Sequence, residues 1–166
     1  MGAKYQTKKD GFPSMKKTAR AIGKRNVDVG IFDSEQAFIA RIQEYGCKIP
    51  ITPKMRAWLH YNGLHVKDST TFITIPERSF LRASWDEQSQ TVLAKARKAL
   101  PDVLIGHMSE EQYCKMVGLM LTSMVKDYAR NLSSPANHPF TIERKGSSNP
   151  LVDTGKMIEH ITYQIK

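Results

Sequence analysis

The chain has few of the residue patterns that mark a disulfide scaffold, a secreted protein or a membrane protein. Its 166 residues include only two cysteines, Cys47 and Cys114, which lack any paired spacing. We therefore expect two free thiols in a reducing cytoplasm. No run of 18 apolar residues occurs, and no basic segment precedes an apolar one, so we expect neither a membrane span nor a standard secretion signal. A hydrophobic content of 40% suffices for one compact core.

Patterns that hold metals, phosphates or nucleophiles are equally scarce. His60 and His65 are five positions apart, whereas two ligands on one helix face need a spacing of four. The glycines never gather into a phosphate-cradling loop, and no serine sits in a glycine-flanked nucleophile elbow. We therefore expect no metal, no cofactor and no catalytic activity. The other histidines are isolated in sequence: His107, His138 and His160.

One short motif does suggest an enzyme. Asp153-Thr154-Gly155 follows an apolar run, as the catalytic carboxylate of an aspartic protease does. That chemistry needs a second carboxylate nearby and the strands that wall a substrate cleft, yet only residues 156–166 follow the motif. The alternative is structural: Asp153 or Thr154 caps a short helix, and alternating residues 161–165 form a final strand. We favour the structural interpretation, with Asp153 hydrogen-bonded to backbone.

The net charge of +9 is concentrated at the start of the chain. Residues 1–25 carry eight basic side chains and one acidic one, whereas residues 26–166 carry 17 basic and 15 acidic side chains. We therefore divide the chain into a basic, partly flexible N-terminal arm with a short helix, 1–25, and a single domain, 26–166. A basic nucleic-acid-binding module is the alternative function, because such an arm can contact phosphates without sequence specificity. The candidate arm residues are Lys4, Lys8, Lys9, Lys16 and Lys17.

Periodicity and capping signals predict an α+β domain with a small, twisted, mostly antiparallel sheet flanked by helices. The predicted strands cover 27–31, 47–51, 64–66, 71–75 and 161–165, with 64–66 and 71–75 joined as a hairpin. Two long helices are expected in the region 78–130, the first from 78 to 100 with a break at Pro101, and the second opened by a Ser109/Gln112 capping box. Shorter helices are predicted over 14–22, from Asp33 or Ser34 to Gly46, from Thr52 to 62 and over 141–145.

The second long helix carries a stripe rich in methionine. It contains Met116, Met120 and Met124 together with Val117 and Leu121. Thioether side chains adapt to irregular surfaces, so the stripe could serve a partner. We expect a core face instead, because burying each such side chain contributes about 1.5 to 3 kcal/mol.

Three separated segments of the chain carry short motifs in a fixed order. The first joins the strand at 27–31 to a helix that ends in Glu44-Tyr45-Gly46. The second, residues 75–82, reads Ile-Pro-Glu-Arg-Ser-Phe-Leu-Arg. The third combines residues 141–147 with Pro-Leu-Val-Asp-Thr-Gly at 150–155 and Ile-Thr-Tyr at 161–163.

Together these segments resemble the head-tail joining or tail-completion proteins of long-tailed bacteriophages, also described as neck or virion morphogenesis proteins. The resemblance runs from about residue 26 to the end. Ser79 departs from it, since the family usually has proline there, and residues 157–160 replace the common Leu-Arg-x-Ser. The residues on which it rests are Glu44, Tyr45, Gly46, Pro76, Arg78, Phe80, Leu81, Arg82, Pro150, Leu151, Asp153, Thr154 and Gly155.

The resemblance implies an assembly role with no enzymatic reaction. Members form symmetric rings of small α+β subunits at the head-tail junction or tail end of the virion, after assembly in the host cytoplasm. The implied partners are further copies of the chain, with a hexamer as one candidate, the adjacent neck or connector ring, and the tail tube. Both a tail terminator and another neck ring fit. We also expect Arg78 and Arg82 to pair with acidic groups within or between subunits.

Overall fold

The computed structural model describes residues 11–166, which fold as seven helices and four strands. The predicted α+β class is confirmed. In chain order the elements are α1 (Phe12–Ile22), β1 (Val27–Ile31), α2 (Ser34–Tyr45), β2 (Cys47–Pro50), α3 (Pro53–Tyr61), β3 (Phe72–Ile75), α4 (Leu81–Leu104), α5 (Glu110–Asn131), α6 (Pro139–Lys145), α7 (Lys156–Glu159) and β4 (Ile161–Ile165).

The strands form two separate antiparallel pairs rather than one sheet. β1 pairs with β4, with Val27 opposite Ile165, and β2 pairs with β3, with Cys47 opposite Ile75. The predicted hairpin between 64–66 and 71–75 is wrong. Residues 64–66 form no strand, because the Arg56 guanidinium binds backbone carbonyl groups of the loop that contains them. Its donors lie 3.1, 2.8 and 2.7 Å from the carbonyl oxygens of Val66, Lys67 and Thr70.

Most helix starts lie where local capping chemistry predicted them. Asp33 accepts a hydrogen bond from the backbone of Gln36, Thr52 caps α3, and Ser109 and Gln112 form the capping box of α5. Ser14 was expected to cap α1, which is wrong, because α1 begins at Phe12 and the Ser14 hydroxyl donates back to the Gly11 carbonyl.

The break expected at Pro101 is also wrong, since α4 continues to Leu104. Proline removes its own N–H from the helix ladder and crowds the carbonyl of residue i−4, but it leaves the other hydrogen-bond donors in place. The turn is continued by the Ile105 amide, which donates to the Pro101 carbonyl at 3.0 Å, and by the His107 amide, which donates to the Asp102 carbonyl at 2.8 Å.

The core lies where the antiparallel helices α4 and α5 meet the β1–β4 pair. Phe80 and Ile161 are fully buried there, and Leu121 and Met124 of the methionine stripe are buried with them. The other residues of that stripe are half-buried. Gly118 of α5 lies directly against the ring of Tyr163, so the absence of a side chain lets β4 approach the helix.

Helix α1 packs against α4 and α5. Lys16 and Lys17 lie on this helix and are exposed. The predicted arm residues Lys4, Lys8 and Lys9 lie outside the residues that the structure describes. Between residues 11 and 166, no helix is long and apolar enough to cross a membrane.

Candidate assembly site

The carboxylate of Glu44 joins the first motif segment to the second. Its side chain is only 3% exposed, although it comes from the last turn of α2. It accepts hydrogen bonds from the backbone N–H groups of Phe80, Leu81 and Arg82 at 2.8, 3.0 and 3.1 Å, and from the Ser79 hydroxyl at 2.8 Å. The first N–H groups of a helix have no partner within it. A residue that is distant in sequence therefore caps α4.

These hydrogen bonds decide the ionisation of Glu44. Burial by itself would raise its pKa, but the hydrogen bonds from Leu81, Arg82, Ser79 and Phe80 outweigh burial and hold the pKa below its ordinary value of 4.5. Hydrogen bonds to the charged form of an acid favour that form. Glu44 is therefore an ionised, buried cap at neutral pH.

Arg82 completes this cap from the solvent side. Its guanidinium lies 3.0 Å from Glu44 and 2.7 Å from Glu77, and it stacks over the Tyr45 ring at 4.6 Å. The expectation that Arg82 pairs with acidic groups within the subunit is confirmed. Glu44 and Tyr45 thus bind the same arginine, one through its charge and one through its aromatic face.

Gly46 allows the backbone segment at 75–77 to pass close to the end of α2. Its φ of +69° is a conformation that residues with a side chain rarely adopt. A Cβ atom at this position would lie 2.8 Å from the Glu77 amide nitrogen and 2.8 Å from the Ile75 carbonyl oxygen. Glycine is therefore required for both conformation and space.

Arg78 is buried and pairs with no carboxylate among residues 11–166, so the expectation of an acidic partner within the subunit is wrong for this residue. An acidic partner in a neighbouring subunit stays a prediction. Its guanidinium donates to the carbonyl oxygens of Pro135 and Ala136 at 2.8 and 3.3 Å, and to side-chain oxygens of Gln43 and Asn137 at 3.0 Å each. Neutral oxygens suffice because five N–H donors in one plane can satisfy several acceptors at once. Arg78 therefore fixes the loop between α5 and α6 against α2.

The third motif segment is organised by Asn149 rather than by Asp153. The Asn149 side-chain oxygen accepts from the Leu151 and Val152 amides at 2.8 and 3.1 Å, and its amide group donates to the Arg130 carbonyl at 2.6 Å. Pro150 and Leu151 are buried beside it. These bonds tie the segment to the end of α5.

The predicted hydrogen bond from Asp153 to backbone is wrong. Asp153 is exposed, and α7 begins after Gly155, whose φ is +84° and which provides no side-chain cap. Thr154 accepts only a long hydrogen bond, 3.5 Å from the Lys156 amide. The turn is therefore made by a left-handed glycine, and the Asp153 carboxylate accepts no hydrogen bond from the amides of α7.

A small cleft of about 230 Å³ lies beside this turn. Within residues 11–166, Asp153 is the only carboxylate that lines it, so the paired carboxylates of an aspartic protease are not found in this cleft. Lys145, at its wall, donates to the Asn149 and Pro150 carbonyls at 3.2 Å each, and burial lowers its pKa. The lining residues from the first and third segments are Gln36, Ile39, Gln43, Thr141, Lys145, Pro150, Leu151, Asp153, Thr154 and Gly155.

Apolar side chains are exposed on two surfaces close to the site. Residues 47–75 form a unit, here called the ribbon unit, in which Trp58, Tyr61 and Phe72 are 48%, 91% and 52% exposed. The second surface is an apolar groove of about 430 Å³ between β1, α4 and α5, in which Trp85 is also exposed. The groove is lined by Val27, Val29, Leu81, Arg82, Trp85, Asp86, Leu121, Met124 and Val125.

Sequence reasoning missed Gln43, Asn137 and Asn149, whose polar side chains make the contacts between segments. His60 and His65 contact each other edge to face, with ring centres 5.1 Å apart. No cluster of three potential metal ligands occurs in the part of the chain from Gly11 onward. Comparison of the chain with protein-family models, with curated proteins and with solved structures finds no match.

Proposed function

We propose that the protein is a structural subunit of the head-tail junction of a tailed bacteriophage and works as a ring, without catalysis. The observation that carries this proposal is the contact between the motif segments that resemble the tail-completion family. Glu44 and Tyr45 of the first segment hold Arg82 of the second, and Arg78 of the second binds Gln43 of the first. Because these two segments contact each other, they form one structural unit.

This unit sets the direction of the ribbon unit. The first and last residues of the ribbon unit, Cys47 and Ile75, are paired across β2 and β3. Each is next in sequence to a residue held in the site, because Gly46 precedes Cys47 and Pro76 follows Ile75. Arg144 of α6 braces the far side through a 2.7 Å hydrogen bond to Asn62. The ribbon unit is therefore held at its base and from α6, although it shares no extensive contact with α4 or α5.

The exposed aromatic residues of the ribbon unit suit contacts between subunits. Exposed apolar patches on a soluble protein mark interaction sites. A contact between the ribbon unit of one subunit and the apolar groove of the next would be heterologous, and such contacts close into a ring when the rotation between subunits closes. Both strand pairs also have outer edges with free backbone groups, which can add a strand from a neighbour.

Deletion of the gene from the phage or prophage that carries it tests the proposal. We expect lysates with DNA-filled heads and separate tails, seen by electron microscopy, and joined virions again when the wild-type gene is supplied. Joined, infectious virions from the deletion strain would contradict the proposal.

The same strain tests the ribbon unit. Supplying Tyr61→Lys should fail to restore joined particles, because Tyr61 is 91% exposed and its loss leaves the core intact. Ile105→Lys is the matched control, since Ile105 is an exposed apolar residue at the far end of α4 and should restore joining. If both variants restored joined particles equally, the exposed surface of the ribbon unit would have no role in assembly.

A further inference from the structure

The strongest positive surface of the described chain lies on α1 and the turn that follows it. Five basic side chains, all exposed, occur between residues 16 and 25, and no acidic residue occurs between residues 11 and 27. They are Lys16, Lys17, Arg20, Lys24 and Arg25. Lys16 and Arg20 are one helical turn apart, about 6 Å along the axis, so they lie on one face. Lys24 and Arg25 extend this row past the end of the helix.

None of these five cations forms an ion pair with another residue in the range 11–166. By contrast, the guanidinium groups of Arg56, Arg78 and Arg82 donate hydrogen bonds to carbonyl or carboxylate oxygens within the protein. Arg25 comes nearest to a partner, because it helps Lys115 to lower the pKa of Glu111, but the Glu111 carboxylate is bonded to Lys115 at 2.6 Å. The five charges are therefore available to an external anion.

The packing of the opposite face of α1 indicates which class of anion the basic side chains can bind. Met15, Thr18, Ala21 and Ile22 are half-buried where α1 packs on α4 and α5. A basic amphipathic helix binds a membrane by inserting its apolar face. Here that face is already occupied by the protein, so a membrane surface is disfavoured and a polyanion that meets only the basic side fits better.

We propose that this face binds the phosphate backbone of duplex DNA without sequence preference. All five cations lie on or just beyond a single helix, and a duplex presents closely spaced phosphates along its length. Lysine ammonium groups are point charges that contact phosphates without reading bases. This inference does not depend on the head-tail proposal, since it rests only on unpaired charges and the packing of α1.

The test measures binding of the full chain to a fluorescent duplex of random sequence over a series of salt concentrations. The variant Lys16→Glu/Lys17→Glu/Arg20→Glu should bind much more weakly, and its salt slope should fall by about 2 to 3, since each phosphate contact contributes about 0.9. The control Lys48→Glu/Lys54→Glu/Lys67→Glu reverses as many exposed charges on the ribbon unit and should keep the wild-type slope. Thermal unfolding checks both folds.

If the reversed-charge variant does not fold, Lys16→Gln/Arg20→Gln replaces it and should lower the slope by about 2. Equal loss in the patch and control variants would overturn the inference in favour of net charge alone. Undetectable binding by the wild type, binding that requires only residues 1–10, or preference for anionic lipid vesicles over the duplex would each overturn it as well. None of these results bears on whether virions join.

Discussion

Glu44 and Arg82 are 38 positions apart in sequence and meet through three hydrogen bonds. The backbone N–H and the Nε of Arg82 donate to the Glu44 Oε1 at 3.1 and 3.0 Å, and Arg82 Nη2 donates to the Glu44 carbonyl oxygen at 3.1 Å. This contact attaches the end of α2 to the start of α4.

Glu44→Gln should destabilise the fold by about 3 kcal/mol at neutral pH, because it leaves helix N–H groups and Arg82 without their anion. The pKa of Glu44 is lowered on folding, so its contribution is fully present above pH 4.5 and is lost as the pH falls through the folded-state value. Denaturant unfolding from pH 7 to pH 3 should therefore show a shallower pH dependence in the variant. Glu35→Gln, an exposed acid in the first turn of α2, should keep the wild-type profile.

Gly46→Ala should cost about 3 kcal/mol or more, because strain from positive φ is joined by overlap with the Glu77 amide and the Ile75 carbonyl. Gly63→Ala isolates the first effect, since Gly63 has a φ of +87° but no atom within 4 Å of the added Cβ. It should cost about 1 kcal/mol. Equal thermal stability of the two variants would show that the close approach at Gly46 contributes nothing.

Gly118→Ala should destabilise the fold by about 1 to 2 kcal/mol, although alanine favours helix, because the methyl group would overlap the Tyr163 ring. Gly30→Ala in β1 adds a methyl group to open space and should be close to neutral. Chemical denaturation measures both, and the near-ultraviolet circular dichroism of the tyrosines should change only in Gly118→Ala. An unchanged spectrum in that variant would argue against the Tyr163 contact.

Arg78→Lys should loosen the loop between α5 and α6, because one ammonium group cannot serve the four oxygens that the guanidinium binds. Hydrogen exchange should accelerate at the amides of Ala136 and Asn137 while the middle of α5 is unaffected. Arg41→Lys changes an exposed arginine of α2 and should leave exchange in this loop unaltered. Wild-type protection of the loop in Arg78→Lys would refute this role.

Asn149→Ala should cost about 1 to 2 kcal/mol, since it removes two hydrogen bonds that form the turn at Leu151 and Val152 and the one that connects this turn to Arg130 of α5. Asp153→Asn should change stability by less than about 0.5 kcal/mol, because the Asp153 side chain is exposed and caps no helix. The reverse order of the two effects would restore the capping role that the sequence suggested for Asp153.

Structural features that depend on contacts between residues no more than four positions apart could be predicted from the sequence. Asp33, Thr52 and Ser109 cap helices through amides three positions ahead, and each lies where its local pattern placed it. The α+β class and the two long helices follow from periodicity in the same way. Local patterns placed β3 correctly but gave it the wrong partner, because its partner β2 precedes it by a helix and a loop whose carbonyls are bound by Arg56.

The candidate site required contacts that no local pattern encodes. Glu44 carried one signal, since an acidic residue in the last turn of a helix opposes the helix dipole and needs a reason to be there. The reason is that Glu44 caps the N-terminus of α4, and no local pattern in the sequence indicates that this N-terminus lies beside Glu44. The sequence suggested Asp153 or Thr154 as the cap and gave no role to Asn149, because the hydrogen-bond partners of Asn149 include the distant carbonyl of Arg130.

Locating the protein in purified virions tests the head-tail assignment most directly. An epitope tag on the exposed C-terminal residue Lys166 allows gold labelling in electron micrographs of joined particles. The proposal predicts label at the junction between head and tail or at the end of isolated tails, and none on the capsid shell or along the tail. Particles without label, or label spread over the capsid, would contradict it.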